Sequence, residues 1–158
     1  MPITHSRPHM PGYGIAAENE GAGLLPWSFV EERMETSRNY WIASIGPDRR
    51  PHAAPVWGIW HLSKFYFSTG DASRKGRNLS GNPAVGVHLE SGDEVVILDG
   101  EVVTADNQEL LKSLDKAYKT KYGVSMLGPG SIYQLIVRRA FAWREKDFPE
   151  SATRWTFE

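Results

Sequence analysis

From residue 40 onward, apolar and polar residues alternate, and this period of two constrains the fold more than any other feature of the chain. Gly, Pro, Asn or Asp residues interrupt the alternation at short intervals, as turns between strands do. Short turns join antiparallel strands, because a parallel pair needs a long crossover. We therefore predict mostly antiparallel strands at residues 40–46, 51–60, 65–69, 84–90, 94–105, 132–143 and 152–157.

Helical spacing occurs in three other segments. Ser28 and Glu31 have the spacing of a capping box, and apolar residues follow at intervals of three or four. A short helix is predicted at 73–80 and a longer amphipathic helix at 107–122. These elements predict a mainly β fold class, a small barrel of six to seven largely antiparallel strands with two or three helices.

Residues 1–25 are rich in Pro, Gly and small side chains and have no sustained periodicity, so they predict an N-terminal arm or a poorly ordered tail. A chain of 158 residues suits one domain, which we assign to residues 26–158. The longest apolar runs, such as 95–98, are too short to cross a bilayer, and the first residues lack the apolar stretch of a signal peptide. We expect a cytoplasmic protein with no membrane partner.

Composition narrows the classes of function. The chain has no cysteine, which excludes disulfides, thiolate metal sites and a cysteine nucleophile. Its 18 Lys and Arg residues balance 19 Asp and Glu residues, so we expect no binding of nucleic acid through bulk charge. His52, His61 and His88 lack the spacing of metal ligands, and we predict no metal site. No general acid or base stands out, so an enzyme with this sequence would take its reactivity from a cofactor.

The segment 65–79 is the most informative for chemistry. A predicted strand ends at Ser68 and Thr69, and the predicted helix then begins with Ser73, Arg74 and Lys75. A helix N-terminus offers free N–H groups and the positive end of its dipole, which suits a phosphate. The alternative is a solvated basic helix start, but cations at this end are unfavourable unless an anion is present.

The stretch 52–57 is unusual for a strand because it contains Pro55, which removes a ladder donor and indicates an edge or an opening in the sheet. Ala53 and Ala54 are small enough to let a ligand approach the backbone. Alternation places Trp57 and Trp60 on opposite faces, so one can belong to the core while the other lines a groove. Plain barrel packing remains the alternative for this segment.

Four stretches together resemble the split β-barrel flavoproteins of the pyridoxamine 5'-phosphate oxidase superfamily. They are residues 46–52, 55–57, 65–70 and 73–75, the resemblance is strongest over about 40–105, and the ending 152–157 fits as well. The resemblance implies that Ser73, Arg74 and Lys75 hold a cofactor phosphate, that the second and third strands border a flavin ring, and that two subunits build each site. A homodimer with shared sites is therefore expected. Six tryptophans also suggest apolar surface for a symmetric partner.

One departure bears on the cofactor. True pyridoxamine phosphate oxidases carry an additional Arg on the second strand, whereas residues 53–57 of this chain contain no cation. Pro55, Val56 and Trp57 instead resemble the branch that uses the deazaflavin coenzyme F420. This implies a reductase that transfers a hydride from the reduced deazaflavin to an electron-poor small-molecule substrate. The alternatives are an FMN-dependent oxidase or reductase on the same fold, and a non-enzymatic binder of flavin or of single-stranded nucleic acid.

The resemblance also assigns the cofactor residues one by one, and it names no catalytic side chain. The phosphate would contact Ser68, Thr69, Ser73, Arg74 and Lys75, the anionic tail would pass near Arg77 and Asn78, and the ring would border His52, Ala54, Pro55, Val56 and Trp57.

Overall fold

Nine antiparallel strands form one sheet that curls into a split barrel, in a computed structural model that describes residues 4–158. The strands are β1 Thr4–Ser6, β2 Tyr40–Ile45, β3 Pro51–Val56, β4 Gly58–His61, β5 Lys64–Thr69, β6 Ala84–Leu89, β7 Glu94–Thr104, β8 Ser131–Arg144 and β9 Thr153–Thr156. The helices are α1 Trp27–Thr36, α2 Arg74–Gly81, α3 Gln108–Tyr122 and α4 Phe148–Ser151, with a 3₁₀ turn at Glu145–Asp147. The mainly β, antiparallel fold class is confirmed, with more strands than predicted.

The sheet has the order β1-β9-β8-β7-β6-β2-β3, and β5 joins β4 to β8. Among residues 4–158, β3 therefore pairs with β2 alone and its other edge is unpaired. None of the helices in the described part of the chain is long and apolar enough to cross a membrane.

The prediction of one strand over 51–60 is wrong, because the chain changes partner at Trp57. Residues 51–56 pair with β2, whereas 58–61 pair with β5. Gly58 permits this change, since a Cβ there would lie 2.3 Å from the ring of Phe65. The segment therefore links the two halves of the barrel.

The two longest strands close the barrel through a bulge. Asp99 pairs with Arg139 and Gly100 pairs with Val137, so Arg138 is the extra residue of β8. A Cβ on Gly100 would lie 2.0 Å from the carbonyl oxygen of Ile136, so only glycine fits this approach. A bulge bends its strand and increases the local twist, which lets a long hairpin curl into a barrel wall.

The helices cover the apolar parts of the sheet. Val30 and Met34 of α1 join the main core, while Leu114 and Tyr118 of α3 pack in a second cluster. The capping box predicted at Ser28 and Glu31 is wrong. Pro26 is the N-cap residue and the helix begins at Trp27, whose ring packs edge-on against Trp155 and Phe157. The Glu31 carboxylate instead accepts a hydrogen bond from the Ser63 hydroxyl.

The N-terminal segment contains a β-strand that its composition did not predict. β1 pairs with β9, and Arg7 is only 2% exposed. Its guanidinium donates to the carbonyls of Ala22 at 2.6 Å and Ala152 at 3.2 Å, and also to that of Glu150. These contacts join the arm to the C-terminal segment. Residues 1–3 lie outside the described part, and the division into an arm and a barrel domain stays a prediction.

Candidate functional site

The corner between β5 and α2 is a tightly packed turn. The Ser73 hydroxyl accepts from the Gly76 N–H at 3.0 Å and donates to the Gly70 carbonyl at 2.7 Å, so Ser73 caps the helix. The Thr69 hydroxyl lies 3.2 Å from that of Ser73. Since Ser73 donates to Gly70, Thr69 is the donor between the two hydroxyls. Both hydroxyl protons are therefore used within the turn, and Ser68, just before it, is half-buried on β5.

Positive charge is concentrated at the start of α2. Arg74, Lys75 and Arg77 lie in its first turn, which has no acidic residue. Among residues 4–158, none of these three side chains has a hydrogen-bond or ion-pair partner within the chain. Lys75 is half-buried, and this burial lowers the pKa of its ammonium group. Because the helix dipole adds further positive potential here, the corner favours an anion.

A cleft of about 680 Å³ separates α2 from the turn between β2 and β3. Arg74 and Arg77 line it from the helix, and Arg49 lines it from the turn. Its one carboxylate belongs to Asp48, which lies 3.7 Å from the guanidinium of Arg50. Sequence reasoning missed Arg49, although the turn 46–52 was part of the recognised pattern. Arg49 has a φ of 63°, so its backbone is left-handed at this turn. The order of residues alone does not predict this conformation.

A hydrogen bond connects α2 to the sheet beneath the cleft. Asn78 is 4% exposed, and its amide donates to the Ser44 hydroxyl at 3.2 Å. Asn78 thus lines the cleft while its amide holds α2 against β2. Ser44 pairs with His52, so the first residues of β3 lie beside α2. The Nδ1 atom of His52 is buried and has no hydrogen-bond partner among residues 4–158, so this polar atom is unsatisfied in the chain by itself.

The predicted ring-binding residues do not all share one face. His52, Ala54 and Val56 alternate toward the inner side of β3, whereas Pro55 is exposed on the outer side. Trp57 lies beyond the end of the strand. A flat ring can therefore lie against the inner three side chains, while Pro55 contacts a ligand only from the other face or from the free edge.

Trp57 and Trp60 occupy the two environments that the sequence predicts. Trp60 packs against the main core, whereas Trp57 is 38% exposed. The Trp57 ring stacks on Tyr122 of α3, with centroids 4.6 Å apart and an angle of 7° between the ring planes. Within the described residues, no cluster of three or more His, Asp or Glu side chains could hold a metal ion.

The site thus combines a split barrel, the cationic corner of α2 and the edge strand beside it. The sequence matches the family described as Pyridoxamine 5'-phosphate oxidase over residues 28–145. The chain belongs to this family.

Solved structures share the fold at low sequence identity. A conserved hypothetical protein from Mycobacterium tuberculosis is 21% identical with a TM-score of 0.70, and the match covers 79% of this chain and 88% of that one. A heme binding protein from Mycobacterium smegmatis is 18% identical with a TM-score of 0.62, covering 75% and 55%. An F420 reductase is 18% identical with a TM-score of 0.55, covering 70% and 94%. No curated protein sequence matches the chain.

Proposed function

We propose that this protein is an F420-dependent oxidoreductase that reduces an electron-poor small molecule. The observation that carries the proposal is the charge of the cleft, where Arg49, Arg74 and Arg77 converge and Lys75 lies at the same helix start. This is more positive charge than one phosphate needs. It suits a cofactor whose phosphate is followed by further anionic groups, as in the tail of the deazaflavin.

Each part of the site has a distinct task in this proposal. Arg74 can hold two phosphate oxygens at once, and Lys75 adds a compact charge at the helix N-terminus. Arg49 and Arg77 would hold the anionic tail. The inner face of β3 would support the ring, with the free Nδ1 of His52 as a polar contact. When bound, the cofactor supplies the electron pair for reduction, while the protein binds and orients it and excludes water.

The composition of β3, the strand proposed to support the ring, argues against a cofactor that is held by its phosphate alone. β3 itself carries no Lys or Arg. The cleft-lining cation nearest to it in the preceding sequence is Arg49, in the turn between β2 and β3. FMN has no tail to use Arg49 and Arg77, so it would gain from the α2 corner only. We therefore expect the deazaflavin to bind more tightly than FMN.

We also propose a homodimer with shared sites. The outer face of β2 and β3 is apolar and built from small or flat side chains, paired as Trp41 with Pro55, Ala43 with Ala53, and Ile45 with Pro51. An open groove of about 410 Å³ continues this face across β6. A second copy would cover the face and bring its own residues to the free edge of β3.

Titration of the purified apo-protein with F420 and with FMN, followed by cofactor fluorescence, tests the cofactor. We expect F420 to bind at least about tenfold more tightly, since one extra charge-assisted contact is worth roughly that factor. The pair Arg49→Gln and Arg77→Gln should weaken F420 and leave FMN nearly unchanged. Arg50→Gln, at an exposed side chain of the same turn, is the control.

Two other outcomes of these titrations would each favour one of the alternative functions. FMN that co-purifies stoichiometrically, or equal affinities for the two cofactors, would contradict the F420 assignment in favour of the FMN-dependent alternative. Tight F420 binding without consumption of the reduced coenzyme by any of a panel of electron-poor acceptors would favour a non-enzymatic binder.

A further inference from the structure

A second cluster of aromatic and cationic side chains lies where β3 ends. Trp57 and Tyr122 form a parallel stack, and the guanidinium carbon of Arg38 lies 5.1 Å from the Trp57 centroid and 5.6 Å from the Tyr122 centroid. The guanidinium therefore lies within cation–π range of both rings. Trp57 nevertheless stays 38% exposed, so part of the stack remains accessible to a ligand.

Lys121 brings a second cation to the same place. Its ammonium group donates to the Tyr40 hydroxyl at 2.7 Å and to the Gly58 carbonyl at 3.1 Å. An ammonium group has three donors, so one N–H remains for a ligand. Burial, and secondarily the charge of Arg38, lower the pKa of Lys121 to about 8. The two cations are thus close enough to repel each other.

No acidic side chain compensates this charge. In the described part of the chain, neither Arg38 nor Lys121 forms an ion pair with a carboxylate, and their neighbours in the cluster are the tyrosines Tyr40, Tyr118 and Tyr122. Uncompensated cations beside an open aromatic ring favour a ligand that is both flat and anionic.

Hydrogen bonds hold this cluster in place before any ligand binds. The Tyr122 hydroxyl accepts from the Gly58 N–H at 3.0 Å and lies 2.7 Å from the carbonyl of Arg38 and 2.9 Å from that of Gly58. It thereby connects α3 to the segment before β2 and to the junction between β3 and β4. A site that is already ordered loses less entropy when a ligand binds.

We propose that the Trp57–Tyr122 stack, with Arg38 and Lys121, binds a planar carboxylate, an aromatic or conjugated acid. The site begins where the inner face of β3 ends, so a ligand there lies next to the proposed position of the cofactor ring. We infer that planar carboxylates are the substrate class of the enzyme. This second statement rests on the proposed function, whereas the binding site itself does not.

Calorimetric titration of the apo-protein with trans-cinnamate tests the site directly. Two comparison ligands separate the contribution of the planar ring from that of the negative charge. Cinnamyl alcohol is flat and uncharged, whereas cyclohexanecarboxylate is charged and not flat. We expect cinnamate to bind at least about tenfold more tightly than either. Arg38→Gln should weaken cinnamate by roughly tenfold, whereas Arg50→Gln and Lys112→Gln, at surface positions outside the cluster, should leave it unchanged.

Cofactor titrations of the same variants separate the two proposals. Arg38→Gln should keep the F420 affinity of the unmodified protein, because Arg38 does not line the cleft. Cinnamate that binds no better than its comparison ligands, or equally well to Arg38→Gln, would overturn the carboxylate site, whatever F420 does. Cinnamate binding that depends on Arg38 in a protein that fails to bind F420 would support the site and contradict the proposed function.

Discussion

Lys75 combines a charged group, partial burial and the absence of a partner within the described chain. Burial lowers the pKa of its ammonium group, so the folded protein bears a cost for keeping this charge. Such a residue is better explained by what it binds than by what it stabilises. Its half-buried position also argues against the alternative of a fully solvated basic helix start.

We predict that Lys75→Met weakens coenzyme binding by roughly ten- to a hundredfold, because a charge-assisted hydrogen bond to an ionised group contributes about 1.5–3 kcal/mol. Methionine keeps the apolar stem without the charge, so the melting temperature of the apo-protein should stay the same or rise slightly. The dissociation constant and the melting temperature are measured together, with Lys112→Met as the control. An unchanged dissociation constant would contradict a phosphate contact.

The lowered pKa of Lys121 predicts how the stability of the protein changes with pH. The pKa of Lys121 is about 8 in the folded protein, lowered from its ordinary value of 10.5 by burial first and by Arg38 second. Between these values the unfolded chain binds a proton that the folded protein lacks, so this residue makes folding more favourable as pH rises. Burial raises the pKa of Tyr40 and Tyr122, and this opposes the gain only above about pH 10, where unfolded tyrosines ionise.

We therefore predict that Lys121→Gln changes the slope of stability against pH. Urea denaturation at pH 7.5, 8.5 and 9.5 should show the free energy of unfolding of the unmodified protein rising relative to that of the variant. Lys112→Gln should follow the unmodified protein. Parallel curves for Lys121→Gln and the unmodified protein would mean that Lys121 titrates at its ordinary pKa in the folded state.

At the scale of the element, α2 depends on how closely it approaches the preceding turn. A Cβ on Gly76 would lie 2.3 Å from the Gly70 carbonyl oxygen and 3.0 Å from the Cα of Asp71. Both of these neighbours are backbone, which cannot rotate away as a side chain can. Gly92, in the turn between β6 and β7 and away from the cleft, has open space where its Cβ would be.

We predict that Gly76→Ala forces α2 away from the turn and therefore weakens coenzyme binding at least about tenfold, with a loss of stability on the order of 1–3 kcal/mol from overpacking. Gly92→Ala should leave binding unchanged and change the stability by less than about 1 kcal/mol. Binding titrations and thermal melts of the two variants form a matched pair. Equal coenzyme affinities would show that the position of α2 does not set the site.

For the molecule as a whole, the proposed homodimer rests on the unpaired edge of β3 and the apolar outer face of β2 and β3. We predict a dimer in sedimentation at micromolar concentration. Ala53→Glu, which puts a charge on the outer face without touching a proposed cofactor residue, should produce monomers. Gln108→Glu, on the surface of α3, should remain dimeric. A fully active monomer of the unmodified protein would overturn the shared site.

Most of the strands, the three long helices and the cationic corner could be predicted from the sequence alone. Period-two alternation, helical spacing and the run Ser73-Arg74-Lys75 are local patterns, and local patterns can be read from neighbouring residues. The cap formed by Ser73 was predictable for the same reason, since it depends on residues within three positions.

How these elements meet could not be predicted, because it depends on contacts between distant segments. Arg49 joins the cleft through the position of a turn, and the stack of Trp57 on Tyr122 joins residues far apart in the chain. The strand break at Trp57 depends on the ring of Phe65 against Gly58, and the paired N-terminal arm depends on Arg7 reaching carbonyls more than 140 positions away. Such contacts leave no periodic trace, because their free energy comes from packing and hydrogen bonds between segments that the chain brings together only when it folds.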